Sequence, residues 1–405
     1  MEQGKGGLLL RVKGLLRKVF RGRIKERALK KVEPGIKPYV NRIISDAILL
    51  NEIPSPTYKE ELRVNFITRR LNDFGISNII IDDAGNVAVL FPASKPTDEY
   101  VLLFADIENE QYSPLYSLVS LTRERAIGNG VADNSIGVAA LLVLAEYVQK
   151  NNLQYDRNLL FLFTNLTPMS SNFAAFHGFI EGWRGKISSA LYIVGLQLGQ
   201  IESRPMGNCK LTVKVKTEER SPYEGGNSNS AISILSNIAF QLGSIKWDDE
   251  NRTNLNVARI VAGIGYGFYP SEGVMELEIY SGDMNILEMS RRVVCATINK
   301  IAHDTGASVE VNINSFIPVG NAELNAFLVE KLVSVHNELR IKSKFVSMPD
   351  KTAILNSFGI PAISIGITTG KKTFNEEYID LIPIEIGFNQ LVKMLGKIAM
   401  EEFMG

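Results

Sequence analysis

The chain has 405 residues, 45% hydrophobic and 22% charged, and its 44 Lys+Arg balance 44 Asp+Glu. That composition describes an ordinary globular protein long enough for two domains, and it gives no ground for a nucleic-acid partner. Cys209 and Cys295 are far apart and in no C-x-x-C pair, so neither a disulfide framework nor a thiolate zinc site is expected, and a reducing cytoplasm fits best.

Charge is unevenly placed. Residues 1–33 carry 11 Lys+Arg against 3 Asp+Glu, leaving 33 basic and 41 acidic residues for the rest. Within this tail Leu8, Val12, Leu15, Leu16 and Val19 recur at helical spacing, while Arg11, Arg17, Lys18 and Arg21 lie on other sides. The pattern predicts a short basic amphipathic helix, packed either on the protein's own body or, through residues 8–31, on a membrane surface or a partner. No apolar run reaches the roughly 20 residues of a membrane span, and Gly6-Gly7-Leu8-Leu9-Leu10 is too short for a secretory signal.

After Pro34-Gly35, helices are expected at Tyr39 to Leu50 and Lys59 to Phe74, separated by the turn Ile53-Pro54-Ser55-Pro56-Thr57. Strands follow at 78–81 and 87–91 around the turn Asp82-Asp83-Ala84-Gly85-Asn86, then at Tyr100 to Phe104. A glycine-rich approach leads to Asp133 and a helix to about Gln149. Further core strands are read at Asn158 to Thr164 and Ala190 to Leu196. Strands alternating with helices predict an α/β fold, a mixed sheet flanked by helices.

The texture changes near Lys210. Alternating strands at 211–216 and 274–280, each followed by a helix (Ser230 to Leu242, Leu287 to Ala302), describe an α+β sandwich. It reads as inserted, because Ala322 to Leu339, Ile360 to Gly366 and a closing helix resume the first style. The expected division is a tail at 1–34, a first domain in two parts at 35–207 and 317–405, and an inserted α+β domain at 208–316.

Several motifs recur in one order: Ile53-Pro54-Ser55-Pro56 with Glu60 and Glu61, Gly85-Asn86-Val87, Gly128-Asn129-Gly130-Val131-Ala132-Asp133-Asn134-Ser135, Asn229-Ser230-Ala231-Ile232, Gly359-Ile360-Pro361-Ala362 and Glu377-Tyr378-Ile379. From about residue 40 onward the chain resembles the co-catalytic zinc peptidases and deacylases that include tripeptide aminopeptidase, acetylornithine deacetylase and succinyl-diaminopimelate desuccinylase, sometimes called metallopeptidase family twenty. The resemblance implies two zinc ions held by two histidines, a bridging aspartate and two further carboxylates, with a glutamate as general base. It also implies that the inserted domain serves as a lid or pairs two subunits, so a homodimer is expected.

Carried over position by position, the resemblance leaves most of the site unfilled. The bridging aspartate is Asp133. The first ligand falls at Asp106, in Asp106-Ile107-Glu108, where Glu108 stands for the residue that orients a ligand. The general base and its metal-binding neighbour fall at Thr167 and Pro168, neither of which has a group able to take a proton near neutrality or bind a metal well. Asn165 and Ser170 nearby do not replace them. The fourth ligand falls at Gly195 and the last histidine at Thr373, while His177, His303 and His336 miss the ligand positions. In the insert, Arg220 or Ser221 stands where the family has a transition-state histidine.

Read without the resemblance, Asp133 satisfies backbone N–H groups before the helix from Ser135, Gly128, Gly130 and Gly137 serve backbone geometry and packing, and Asp350 is a surface turn. Two functional readings stand. The first is a pseudoenzyme on a peptidase scaffold with its zinc site lost, no cofactor, and a peptide, a protein or a second copy as ligand; it would be cytoplasmic, with peripheral membrane contact through the tail left open. The second is an active hydrolase of peptide or amide bonds with zinc or another metal on rewired ligands, drawn from Asp106, Glu108, Asp133 and Asp350.

Overall fold

The computed structural model describes residues 35–55, 59–108, 118–165, 173–223, 229–373 and 376–400. The basic tail, Thr167, Pro168, Ser170 and the side chain of Asp133 lie outside these residues. In chain order the elements are α1 (Lys37–Asn51), α2 (Glu61–Asp73), β1 (Ile79–Ile81), β2 (Val87–Phe91), β3 (Glu99–Asp106), β4 (Ser120–Leu121), β5 (Arg125–Ile127), a π-helical turn (Val131–Ser135), α3 (Ile136–Lys150), β6 (Asn158–Thr164), α4 (Ala174–Gly182), β7 (Lys186–Val194), β8 (Gln200–Glu202), β9 (Gly207–Lys216), α5 (Ala231–Gly243), β10 (Asn254–Ala262), β11 (Glu272–Ser281), α6 (Met284–Thr305), β12 (Ser308–Ile317), α7 (Ala322–Leu339), β13 (Lys344–Val346), α8 (Thr352–Ser357), β14 (Ala362–Gly366), β15 (Gly370–Lys372), β16 (Glu377–Asp380) and α9 (Ile384–Ala399).

Six strands form the main sheet in the order β1-β2-β6-β3-β7-β14. The four strands from β6 to β14 are parallel, and β1 and β2 run antiparallel at one edge. The parallel strands are apolar on both faces because helices cover both. Val101, Leu103, Ala105, Phe161, Phe163, Leu191 and Ile193 pack with α1, α3 and α9 on one side. Leu102, Phe104, Leu160, Leu162 and Ala190 pack with α4 and α8 on the other. Helix α3 is buried over almost its whole circumference, as an all-apolar helix in the middle of a domain must be.

The segment from β9 to β12 builds a four-stranded antiparallel sheet, β10-β11-β9-β12, with its own core against α5 and α6. Two of its strands, β10 and β12, are absent from the strand–helix–strand–helix pattern expected from sequence, and both are sheet edges. The chain leaves and re-enters the first body side by side, where the Gly320 amide donates to the Pro205 carbonyl at 2.8 Å. Beyond α5 and β10 lies an exposed apolar run: Ile232, Ile260, Val261, Ile264, Tyr266 and Phe268 are each at least 44% exposed. Among the described residues no helix is long and apolar enough to cross a membrane.

Candidate functional site

Strand register assembles the site. In the main sheet Asp106, the last residue of β3, lies opposite Thr164, the last of β6, while Phe104 lies opposite Tyr192 of β7. Side chains two apart on a strand share a face, so Asp106, Phe104 and Tyr192 all point to the side covered by α4 and α8. The rings of Phe176, Phe104 and Tyr192 stack in sequence, with centroids 5.0 and 4.8 Å apart. This platform lies at the carboxyl ends of parallel strands, where open α/β sheets bind ligands.

Asp106 is 4% exposed and fully engaged. Thr164 Oγ1 donates to its Oδ1 at 2.6 Å, and Tyr192 Oη donates to its Oδ2 at 2.6 Å. The third partner is Lys351, whose ammonium forms an ion pair and hydrogen bond with the same Oδ2. The Lys351 Nζ also lies 5.1 Å from the Phe173 ring centroid and 5.6 Å from that of Tyr192, within cation–π reach. A protein cation therefore stands against the carboxylate expected to be the first metal ligand.

The other expected ligand positions are not drawn to this point. Thr373 is exposed and closes its own turn, its amide donating to Glu376 O at 2.9 Å and its hydroxyl at 3.1 Å. Gly195 follows the end of β7 with no room for a side chain: a Cβ there would come within 2.3 Å of the Ala132 carbonyl oxygen and 2.5 Å of Ile136 Cγ2. Glu108 is buried, and its carbonyl accepts from Asn134 Nδ2 at 2.6 Å. Glu377 aims Oε1 at the Ala132 amide, 2.8 Å away, fixing the π-helical turn that contains Asp133.

Asp350 departs from the expected surface turn. It is partly buried, and its Oδ1 accepts from both the amide and the hydroxyl of Thr352 at 2.8 Å, starting α8. Burial raises its carboxyl above the ordinary range. Among the described residues no three His, Cys, Asp or Glu side chains come together; of the second reading's four carboxylates, the Asp133 side chain lies outside those residues. His177, on α4, lies against Phe358 with ring centroids 6.1 Å apart, and partial burial lowers its pKa. His336 is buried between Ser343 and Gln390, and His303 is an exposed neighbour of Asp304.

Among the described residues, the donors around Asp106 do not fit zinc. Three or four nitrogen, sulfur or carboxylate donors are needed, whereas around Asp106 the described neighbours are two hydroxyls, an ammonium and aromatic rings.

Two residues that build the site escaped sequence reading. Arg63 is fully buried and donates to Ile53 O at 3.1 Å, Ile107 O at 2.7 Å and Ser135 Oγ at 3.2 Å, fastening three segments around the cleft. Its signal was present, because Arg63, Ile67 and Leu71 form the buried stripe of α2. Lys351 gave no such signal; it depends on a contact across 245 positions.

Beside Asp350, Glu202 of β8 is 4% exposed and accepts from the amides of Met348 at 2.6 Å and Arg204 at 3.2 Å. Burial, reinforced by Asp350, raises its pKa to about 7, against the opposing pull of those amides and Arg252. The folded state thus holds this proton more tightly than the unfolded chain, whose ordinary value is 4.5. Its stabilising contribution is complete below that value, declines as pH rises toward about 7, and changes little above it. Glu202→Gln, which cannot ionise, should match the parent at low pH and exceed it at pH 8 by up to about 3 kcal/mol, the equivalent of the shift. Urea unfolding at several pH values checks this; parallel pH profiles for the two proteins would refute it.

Comparison with known proteins places this geometry on a familiar frame. Residues 86–166 match Peptidase family M28. No curated protein sequence matches the chain. Among solved structures, human carnosine dipeptidase 1 is 12% identical with a TM-score of 0.71, covering 95% of this chain and 99% of its own. A Staphylococcus aureus tripeptidase is 14% identical with a TM-score of 0.69, covering 91% and 99%. The Bacillus subtilis YXEP protein, described as a dinuclear metal-binding peptidase of the M20 family, is 14% identical with a TM-score of 0.61, covering 90% and 99%. These likenesses show a shared fold, that of the co-catalytic metallopeptidases.

Proposed function

We propose that this chain, which has the co-catalytic metallopeptidase fold, is a metal-free and non-hydrolytic binding or scaffold protein. The observation that carries the reading is the Lys351 ammonium on Asp106. A fixed positive charge beside that carboxylate repels a divalent ion and takes up the oxygen that would bind it. Two further positions support it. Gly195 is closed to any side chain by Ala132, and Thr373 spends its hydroxyl on its own turn. Sequence alone adds that Thr167 and Pro168 lack the chemistry of a general base and a ligand. The exposed apolar run beside β10 supports a role in binding.

The test is elemental mass spectrometry on protein purified without chelator, equilibrated with zinc and dialysed, together with a panel of di- and tripeptides. No stoichiometric zinc and no hydrolysis above blank are expected. Retained zinc, or hydrolysis abolished by Asp133→Ala in a folded variant, would overturn the reading in favour of an active hydrolase.

A further inference from the structure

Lys351 does more than exclude a metal, because the space it fills has the chemistry of a receptor. Three features converge on its Nζ, the Asp106 carboxylate and the faces of Phe173 and Tyr192 at 5.1 and 5.6 Å, while the Tyr192 hydroxyl donates to the same Oδ2 and holds it in place. The far carboxylate oxygen is held by Thr164, so Asp106 cannot turn away from the ammonium without losing a 2.6 Å hydrogen bond. The cage walls are themselves fixed. Tyr192 is stacked on Phe104, and Phe173 is buried with a left-handed φ of 56° at the start of α4.

A desolvated primary ammonium finds here one charge partner and two ring quadrupoles, the combination by which proteins recognise alkylammonium groups. The same walls discriminate against other cations. Calcium and magnesium require about six or more oxygens, and ring faces supply none. A guanidinium is planar and seeks two parallel acceptors, whereas one oxygen of Asp106 is already committed to Thr164.

We propose that Asp106, Tyr192, Phe173 and Thr164 form a binding site for a primary alkylammonium group, which Lys351 occupies as a tethered ligand. The inference rests on the metal-free reading of Asp106 and goes beyond it by naming what the cage binds. A free amine must compete with a tethered one whose effective concentration is on the order of millimolar or higher. The intact protein therefore responds weakly to low amine concentrations, and an external amine enters once the lysine side chain is absent.

Lys351→Ala removes three methylenes and the ammonium, so n-propylammonium is the matching fragment. Thermal unfolding of the full chain is followed for the parent, Lys351→Ala, and Lys351→Ala combined with Asp106→Asn. Each is titrated with n-propylammonium chloride at constant ionic strength, and separately with tetramethylammonium chloride and zinc. The expected result is a saturable rise in Tm for Lys351→Ala with n-propylammonium alone, and little rise for the parent or the double variant. If Lys351→Ala does not fold unaided, its refolding yield with and without n-propylammonium reads the same binding. Equal behaviour in n-propylammonium and sodium chloride overturns the ammonium site and leaves the metal-free reading standing. A rise with zinc but not with the amine overturns both.

Discussion

Arg63→Met should cost about 3–5 kcal/mol of stability, the range for breaking a buried, multiply hydrogen-bonded charge. Its guanidinium supplies three segments at once: the start of the loop after α1 at Ile53, the loop after β3 at Ile107, and Ser135 at the close of the π-helical turn. Methionine fills much of the volume but donates nothing, so two carbonyl oxygens inside the protein lose a charged donor. Arg63→Lys should fall between the two, since an ammonium cannot spread its donors as the guanidinium fork does. Urea unfolding measures the difference. A loss below about 1 kcal/mol for the methionine variant would mean that water or a neighbouring group replaces the arginine, and that the three segments do not depend on it.

Placing a carboxylate at Gly195, where the resemblance expects the fourth ligand, should fail to build a metal site. Gly195→Asp places a Cβ 2.3 Å from the Ala132 carbonyl oxygen and 2.5 Å from Ile136 Cγ2. Both belong to the turn and helix start that carry Asp133, and Gly137 of the same helix approaches so closely that its Cβ would meet the Ile193 carbonyl at 2.7 Å. The end of β7 and the start of α3 are packed backbone to backbone. A side chain at 195 must push them apart, at a cost of about 3 kcal/mol or more by comparison with overpacked interiors. The expected outcome is a marked fall in the unfolding midpoint and no gain in zinc retention. A stable Gly195→Asp protein that holds zinc would show that the cleft still has the latitude of a metal site.

These two residues illustrate what could be read in advance. The main strands and helices were legible wherever an apolar run or a helical stripe was long: Asn158 to Thr164 and Ala322 to Leu339 coincide with β6 and α7. Edge strands were harder. β10 carries Asn254, Asn256 and Arg259 among its apolar residues and is exposed along much of its length, so burial gives it a weak pattern. Strand β7 begins at Lys186, four residues before the expected start, because Lys186 and Ser188 lie at the strand's polar entrance, where Lys186 pairs with Glu99.

The site divides along the same line. The family resemblance assigned ligand positions to Asp106, Gly195 and Thr373 by chain order alone. What those residues now do was not legible. The Asp106 partner comes from the start of α8 and the Gly195 obstacle from the π-helical turn, and both arise only when distant strands meet in register. Asp350 was read as a surface turn. It does start a helix, but the tertiary fold also buries it beside Glu202.

A cation built from a side chain is present as soon as the polypeptide is made. A domain whose cleft is closed by metal must acquire that metal to finish folding, and chelation or scarcity returns it to the apo state. The Asp106–Lys351 pair has no such second component. On the proposed metal-free reading, the carboxyl ends of β3 and β6 are joined to the start of α8 by residues translated in fixed one-to-one ratio, and this part of the molecule would be indifferent to the cell's zinc supply.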